Sequence, residues 1–216
     1  MSRLRSIEAV LIAAVASATW LAFPGPTDAK PGKSKPAMQE DLLPHDNVVP
    51  PKVLESDYAR MRVTPYNDPT FYFELVVPRT FESQPVSVTR QELAHDNESP
   101  LPMGEFRPKN DATVLIEARY VRVPEKVTLD RFLAVYAEQS RFEIVTRQRG
   151  EYSGRKIAEA LLRIESPTLG KTLTRVTVSR RGDLIFMVAG STREKDYPKW
   201  KQAFAVAALS FDPKGK

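Results

Sequence analysis

Leu173-Thr-Arg-Val-Thr-Val-Ser179, Arg180-Arg-Gly-Asp183 and Leu184-Ile-Phe-Met-Val188 follow one another in the chain, and their reading decides the fold. Two runs rich in β-branched and apolar residues flank a short cluster whose Gly-Asp pair is ordinary hairpin-turn chemistry. They therefore pair antiparallel. Leu184–Val188 is apolar at every position. A strand apolar on both faces has no solvated side, so it belongs in the middle of a sheet covered on each face.

Working outward, two strand-like segments flank Tyr152-Ser-Gly-Arg155, and Ala158, Ala160, Leu162 and Ile164 alternate in the second. Ser166-Pro167 and Gly170 mark the next turn. Upstream, Val114, Ile116, Ala118 and Tyr120 give a strand with one apolar face, ended by Pro124. Phe71-Tyr-Phe-Glu-Leu-Val-Val77, stopped by Pro78, is another strand. Met61 with Val63, Val86-Ser-Val88 and Gly104-Glu-Phe106 predict shorter ones, while residues 91–102 read as a polar surface loop. Two helices complete the pattern. Thr128 is placed to cap one that presents Leu129, Phe132, Leu133 and Tyr136 at i, i+3, i+4 and i+7. Asp196-Tyr-Pro198 starts the other, with Trp200, Phe204, Ala207 and Ala208 on its inner side. Strand runs separated by single helices predict an α+β domain with a mainly antiparallel sheet and two main helices packed against it.

The N-terminus carries an address. Arg3 and Arg5 precede a mostly apolar run from Ala9 to Phe23, and Thr27-Asp28-Ala29 provides a small-residue exit. This is the pattern of a secretory signal peptide spanning residues 1–29, cut before Lys30. The alternative is an uncleaved anchor, which leaves the domain outside the cytoplasm all the same. Residues 30–57 read as a proline-rich disordered tether, and the domain as residues 58–213. A partner-binding segment around Leu42-Leu43 and Val48-Val49 is the other reading of part of that tether.

The chain has 216 residues, no cysteine and a formal charge of +5. Absence of cysteine excludes disulfides, thiol catalysis, thiolate metal sites and a lipid-modified cysteine. The pI is near 9.4. Basic residues nonetheless alternate with apolar and acidic ones, as in Glu117-Ala-Arg-Tyr-Val-Arg122, which describes a solvated sheet face and argues against nucleic acid. An acidic partner or an anionic membrane surface fits that charge better.

Reaction chemistry is sparse. The two histidines, His45 and His95, fall in the tether and the polar loop. No metalloprotease helix, nucleophile elbow or phosphate loop is present. Glu138, Glu143, Glu151, Glu159 and Glu165 read as solvated acids on strand and helix faces. Glu92, Asp96 and Glu98 lack a calcium-loop pattern. Arg181-Gly182-Asp183, the adhesion tripeptide, is explained by the hairpin. Among the aromatics, Tyr72, Tyr152 and Tyr197 are the least committed to a core. No catalytic residue, metal ligand or cofactor is therefore expected. The candidate groove for a ligand or partner is assigned to Tyr152, Arg155 and Glu165.

The order of these pieces resembles the PsbP-like superfamily, which includes the DcrB-type proteins of bacterial envelopes. The pieces are Phe71–Pro78 as an aromatic strand ending in proline, Leu129–Tyr136 as the first helix and Tyr152–Arg155 as a hairpin turn. Then follow Arg181–Phe186, Ser191–Lys195, the Trp200 helix and Leu209-Ser-Phe211, so that the match spans residues 58–213. The resemblance implies an α/β/α sandwich around an antiparallel sheet. It also implies a non-catalytic binding or assembly factor, often exported, with no catalytic residues to carry over. The expectation is an exported accessory protein acting by protein–protein contact in the periplasm or outside the cell. The alternatives are a small-ligand binder or hydrolase using the Tyr152 groove, and a membrane-anchored subunit of an envelope complex.

Overall fold

Leu184–Val188 lies in the middle strand of a seven-stranded antiparallel sheet. The computed structural model describes residues 49–68, 70–86 and 100–215. The signal-peptide reading, both histidines and Glu92, Asp96 and Glu98 lie outside the described residues. The elements are α1 (Pro51–Asp57), β1 (Tyr58–Val63), β2 (Phe71–Pro78), β3 (Phe81–Gln84), β4 (Leu101–Pro108), β5 (Leu115–Arg122), α2 (Leu129–Gln139), β6 (Glu143–Tyr152), β7 (Arg155–Ser166), β8 (Gly170–Arg181), β9 (Leu184–Arg193), α3 (Tyr197–Ser210) and β10 (Asp212–Gly215). The large sheet has the order β3-β4-β5-β9-β8-β7-β6, and β1-β2-β10 form a separate three-stranded sheet.

Pleating divides β9 between two cores. Ile185, Met187 and Ala189 face α2, where they meet Phe132, Leu133, Tyr136, Ala158, Ala160 and Val176. Phe186 and Val188 face the other way, onto Phe204, Ala207, Phe211 and the β2 residues Phe73 and Leu75. The result is a three-layer sandwich: α2, the large sheet, then α3 beside the small sheet. The α+β class and the antiparallel central sheet expected from the sequence are present.

Both helix predictions meet the structure at their inner residues. Thr128 accepts a hydrogen bond from the Arg131 amide at 3.2 Å and so caps α2. Asp196 stands at the start of α3 but does not cap it with its side chain. Its carboxylate instead lies 3.1 Å from Arg193 Nε, in an ion pair with the guanidinium.

Other expectations are corrected. The strand predicted at Val86–Val88 is absent at Val86, and Phe81–Gln84 pairs with β4 instead. Leu101 and Pro102 belong to β4 and not to a polar loop, since Leu101 and Met103 are buried. Phe71–Pro78 joins the small sheet and not the large one. Pro51–Asp57, within the segment read as tether, forms a short helix. Arg79 holds its end by donating to the carbonyls of Ser56 (2.9 Å) and Glu55 (3.1 Å). Hydrophobic pattern could not show this, because α1 buries none of its side chains.

Candidate functional site

The β6–β7 turn builds one wall of a groove. Ser153 and Gly154 both take positive φ (50° and 75°), the backbone that a two-residue hairpin loop requires. This tight turn sets Tyr152 and Arg155 side by side on the face shared with α3. Arg155 donates to the carbonyl of Leu209 at 3.1 Å and to that of Phe211. A cation is thus fixed at the C-terminal end of α3, where the carbonyls lack intrahelical amide partners and the helix dipole is negative.

The groove is open and about 640 Å³ in volume. Tyr152, Ser153 and Arg155 form one side, and Val206, Leu209 and Ser210 of α3 with Asp212 lie next to them. Arg60 of β1, Val76 of β2, and Val49 and Leu54 around α1 complete it. Ser210 Oγ accepts from the Val76 amide at 2.8 Å and so ties α3 to β2 at the groove wall. Arg60 is held 3.1 Å from Glu74, and Asp212 pairs with Lys214. Beneath Tyr152 and Arg155 a void of only about 10 Å³ separates the groove from Phe186 and Phe211, at most the space of a single water probe. The groove does not continue into the core.

Of the three residues assigned to the groove from sequence, two meet there. Glu165 does not. It sits exposed at the far end of β7, paired in register with Lys171. Ten residues of strand at about 3.3 Å each put it about 33 Å from Arg155. Tyr197 is buried at the start of α3, and Tyr72 stacks beneath Arg62, whose Cζ lies 3.7 Å from the ring centroid. Val76, Val206 and Leu54 were missed as lining residues. No local signal marks them, since they converge only when α1, β2 and α3 assemble.

The acids divide in a way the sequence did not show. Glu143 pairs with Arg163 at the surface (3.3 Å). Glu159, read as a solvated acid, is fully buried beneath α3, where it accepts from Arg175 (2.8 Å), Thr177 (2.7 Å) and Gln148 (2.9 Å). On the opposite face Glu117 is 1% exposed, with Oε2 2.9 Å from Arg119 Nε and Oε1 buried without a partner. Burial pushes the Glu117 carboxyl above its ordinary range, and the Arg119 charge offsets this only in part. Burial, with the nearby Glu117 charge, also pushes the Tyr136 phenol up. Glu117 is sealed from solutes and belongs to the interior.

That carboxyl gives a pH prediction. An acid whose folded pKa lies above its unfolded value of about 4.3 binds more protons folded than unfolded between the two, so its contribution to stability falls as pH rises through that window. Glu117→Gln removes this fall. Melting curves at pH 5 and pH 8 should show the variant gaining on the wild type at the higher pH. An unchanged difference between the two proteins at both values contradicts the assignment.

Arginine is used throughout as a carbonyl clamp. Besides Arg79 and Arg155, Arg180 donates to the carbonyl of Val127. These cations hold helix ends and loops in place. Arg155→Ala should cost about 1.5–3 kcal/mol, the range for hydrogen bonds to a charged group, with Arg155→Lys recovering part of it in urea titrations.

The fold and groove define an α/β/α sandwich with an open surface cleft. No family model matches the chain, and no curated protein matches it. Among solved structures it is similar to cyanobacterial PsbP (CyanoP) from Synechocystis, with 17% identity over 72% of this chain and 92% of that one and a TM-score of 0.49. It is also similar to LpqN, a Mycobacterium tuberculosis protein involved in cell envelope biogenesis (9% identity, 76% and 95% covered, TM-score 0.47). A Bacteroides thetaiotaomicron protein matches at 8% identity over 74% of this chain and 49% of its own, with a TM-score of 0.41.

Proposed function

We propose that this chain is an exported, non-catalytic accessory protein that binds an extended segment of a partner protein in the cell envelope through the groove at Tyr152 and Arg155. The observation that carries this reading is the groove itself. It is open, about 640 Å³, and lined by both aliphatic and polar side chains. Such a lining suits a peptide, whose apolar side chains need burial and whose backbone needs polar partners. Arg155 on its wall is engaged by the carbonyls of Leu209 and Phe211. Among the described residues no group of three or more metal-ligating side chains gathers, and no helix is long and apolar enough to cross a membrane. Export rests on the basic and apolar pattern of residues 1–29.

Photo-crosslinking in the living envelope tests the binding reading. A crosslinking side chain at Ser153 should trap one specific protein, and the same group at Lys109, away from the groove, should not. Equal trapping at both positions, or none at Ser153, overturns it. Mass determination of the N-terminus tests the address: a chain starting at Lys30 in the soluble fraction is expected, and an intact Met1 confined to membranes refutes cleavage.

A further inference from the structure

We infer that Glu105 and Glu117 form a proton-sharing pair that fastens β4 to β5: Glu117 carries the proton on Oε1 and donates it to the Glu105 carboxylate, and release of that proton to solvent loosens the start of β4. The inference concerns the α2 face of the large sheet and does not depend on the groove or its occupant.

Strand register sets the pair. Glu105 of β4 stands directly opposite Glu117 of β5. Their neighbours Phe106 and Ile116 belong to the core under α3, so pleating turns both carboxyls to the α2 side. Residues directly opposed across two strands have Cβ atoms about 4.5–5.5 Å apart, and like charges so placed repel. The two members differ in their surroundings. The Glu105 side chain is 30% exposed with Arg107 3.6 Å away, whereas that of Glu117 is 1% exposed. The charge therefore rests on Glu105 and the proton on Glu117, since burial penalises the charged form. Arg119 Nε takes Glu117 Oε2 at 2.9 Å, and Oε1 is buried without a partner. A carboxylate only accepts hydrogen bonds, so two facing carboxylates leave such an oxygen stranded. One proton turns it into a donor with an acceptor opposite.

The charged and titratable groups around Glu117 come from three elements. Glu105 and Arg107 stand on β4, Arg119 on β5, and the Tyr136 phenol on α2, while Ala189 opposite on β9 adds no charge. Burial does most to push the Glu117 carboxyl up. Arg119 opposes it, the facing Glu105 adds to it, and Arg107 opposes it.

Arg119 links the pair to the entry of β4. It donates to the Pro100 carbonyl at 3.3 Å as well as to Glu117. Pro102 accepts from the Tyr66 hydroxyl, and the β4–β5 register shifts between Pro102 and Gly104. The regular ladder is interrupted here, so this end of β4 yields first when two negative charges face each other. An acid with a raised folded pKa loses its stabilising contribution as pH rises through that value, so the strand is fastened on the acid side and loosened on the alkaline side.

Carbon-13 NMR and hydrogen exchange of the full chain test both parts. The Glu117 side-chain carboxyl should titrate above the ordinary carboxylate range, and Glu105→Gln should lower its midpoint. Across that titration the β4 amides should lose protection relative to those of β8 by up to about fivefold, the equivalent of like charges facing across strands. Glu105→Gln and Glu117→Gln should each remove the loss. An equal Glu117 midpoint in the wild type and Glu105→Gln means that burial alone holds the proton, and overturns the pair. A carboxyl that stays charged or stays neutral over the whole range in which the fold survives overturns it as well. A lowered midpoint with β4 and β8 protection changing alike overturns the fastening of β4. So does a β4 loss that survives Glu117→Gln, which has no proton to release.

Discussion

Arg175→Ala should lower stability by about 3–5 kcal/mol, the cost of breaking a buried ion pair on one side. At about 2–4 °C per kcal/mol for a chain of this size, the melting temperature falls by roughly 6–20 °C. The guanidinium is 1% exposed and donates to Glu159 Oε1 at 2.8 Å. Removing it leaves a carboxylate beneath α3 with only Thr177 and Gln148 as donors. Burial alone raises the Glu159 carboxyl. The Arg175 charge and three hydrogen bonds outweigh that and hold it below the ordinary range. An acid with a depressed folded pKa adds stability that is fully present above its unfolded value, about 4.3, and is lost as pH falls through the folded value. The wild type should therefore weaken below about pH 4 from this group, and Arg175→Ala should lose that acid limb. Replacing both partners, Glu159→Leu with Arg175→Met, should come within about 2 kcal/mol of wild type, because no charge is left stranded. A cost under about 1 kcal/mol for Arg175→Ala contradicts the assignment.

Gly190→Ala should cost about 3 kcal/mol, the upper end for overpacking a core. A Cβ built on Gly190 lies 2.2 Å from Phe204 Cγ and 2.7 Å from Phe204 Cβ. Rotating the ring cannot relieve the second contact, so α3 itself must lift from β9. The lift also disturbs Leu209 and Ser210, and through them the groove. Phe204→Leu should partly rescue Gly190→Ala, although alone it destabilises by leaving a cavity. A double-mutant cycle in urea reads this directly: a coupling energy near zero would show that the helix does not rest on Gly190.

The two predictions bear on what was readable before folding. Residues 184–188 announced a central strand because the rule is local: apolar side chains on both pleated faces leave no place for water. The helices were legible for the same reason, through Phe132, Leu133 and Tyr136 and through Phe204, Ala207 and Ala208. β3 and β10 were not, since Phe81-Glu-Ser-Gln84 and Asp212-Pro-Lys-Gly215 carry almost no apolar alternation. Backbone pairing to β4 and β2 makes them strands. Glu159 looked like any surface acid, because a charge is buried only when folding brings its partners, and Arg175 arrives from the next strand.

The candidate site divides along the same line. The Tyr152–Arg155 turn was visible as Ser-Gly between two strand patterns, and the structure places both residues at one groove. Glu165 was wrongly joined to them because a sequence does not show that one unbroken strand of about 33 Å lies between them. By itself the sequence determined the antiparallel sheet, its central strand, the two helices and the turn that sets Tyr152 beside Arg155, all of which follow from periods of two and 3.6 residues. Only the tertiary structure decided which acids are buried, that Arg155 clamps the end of α3, and that Leu54, Val76 and Val206 share a cleft. Those depend on side chains far apart in the chain meeting where water is excluded, and no local period records that.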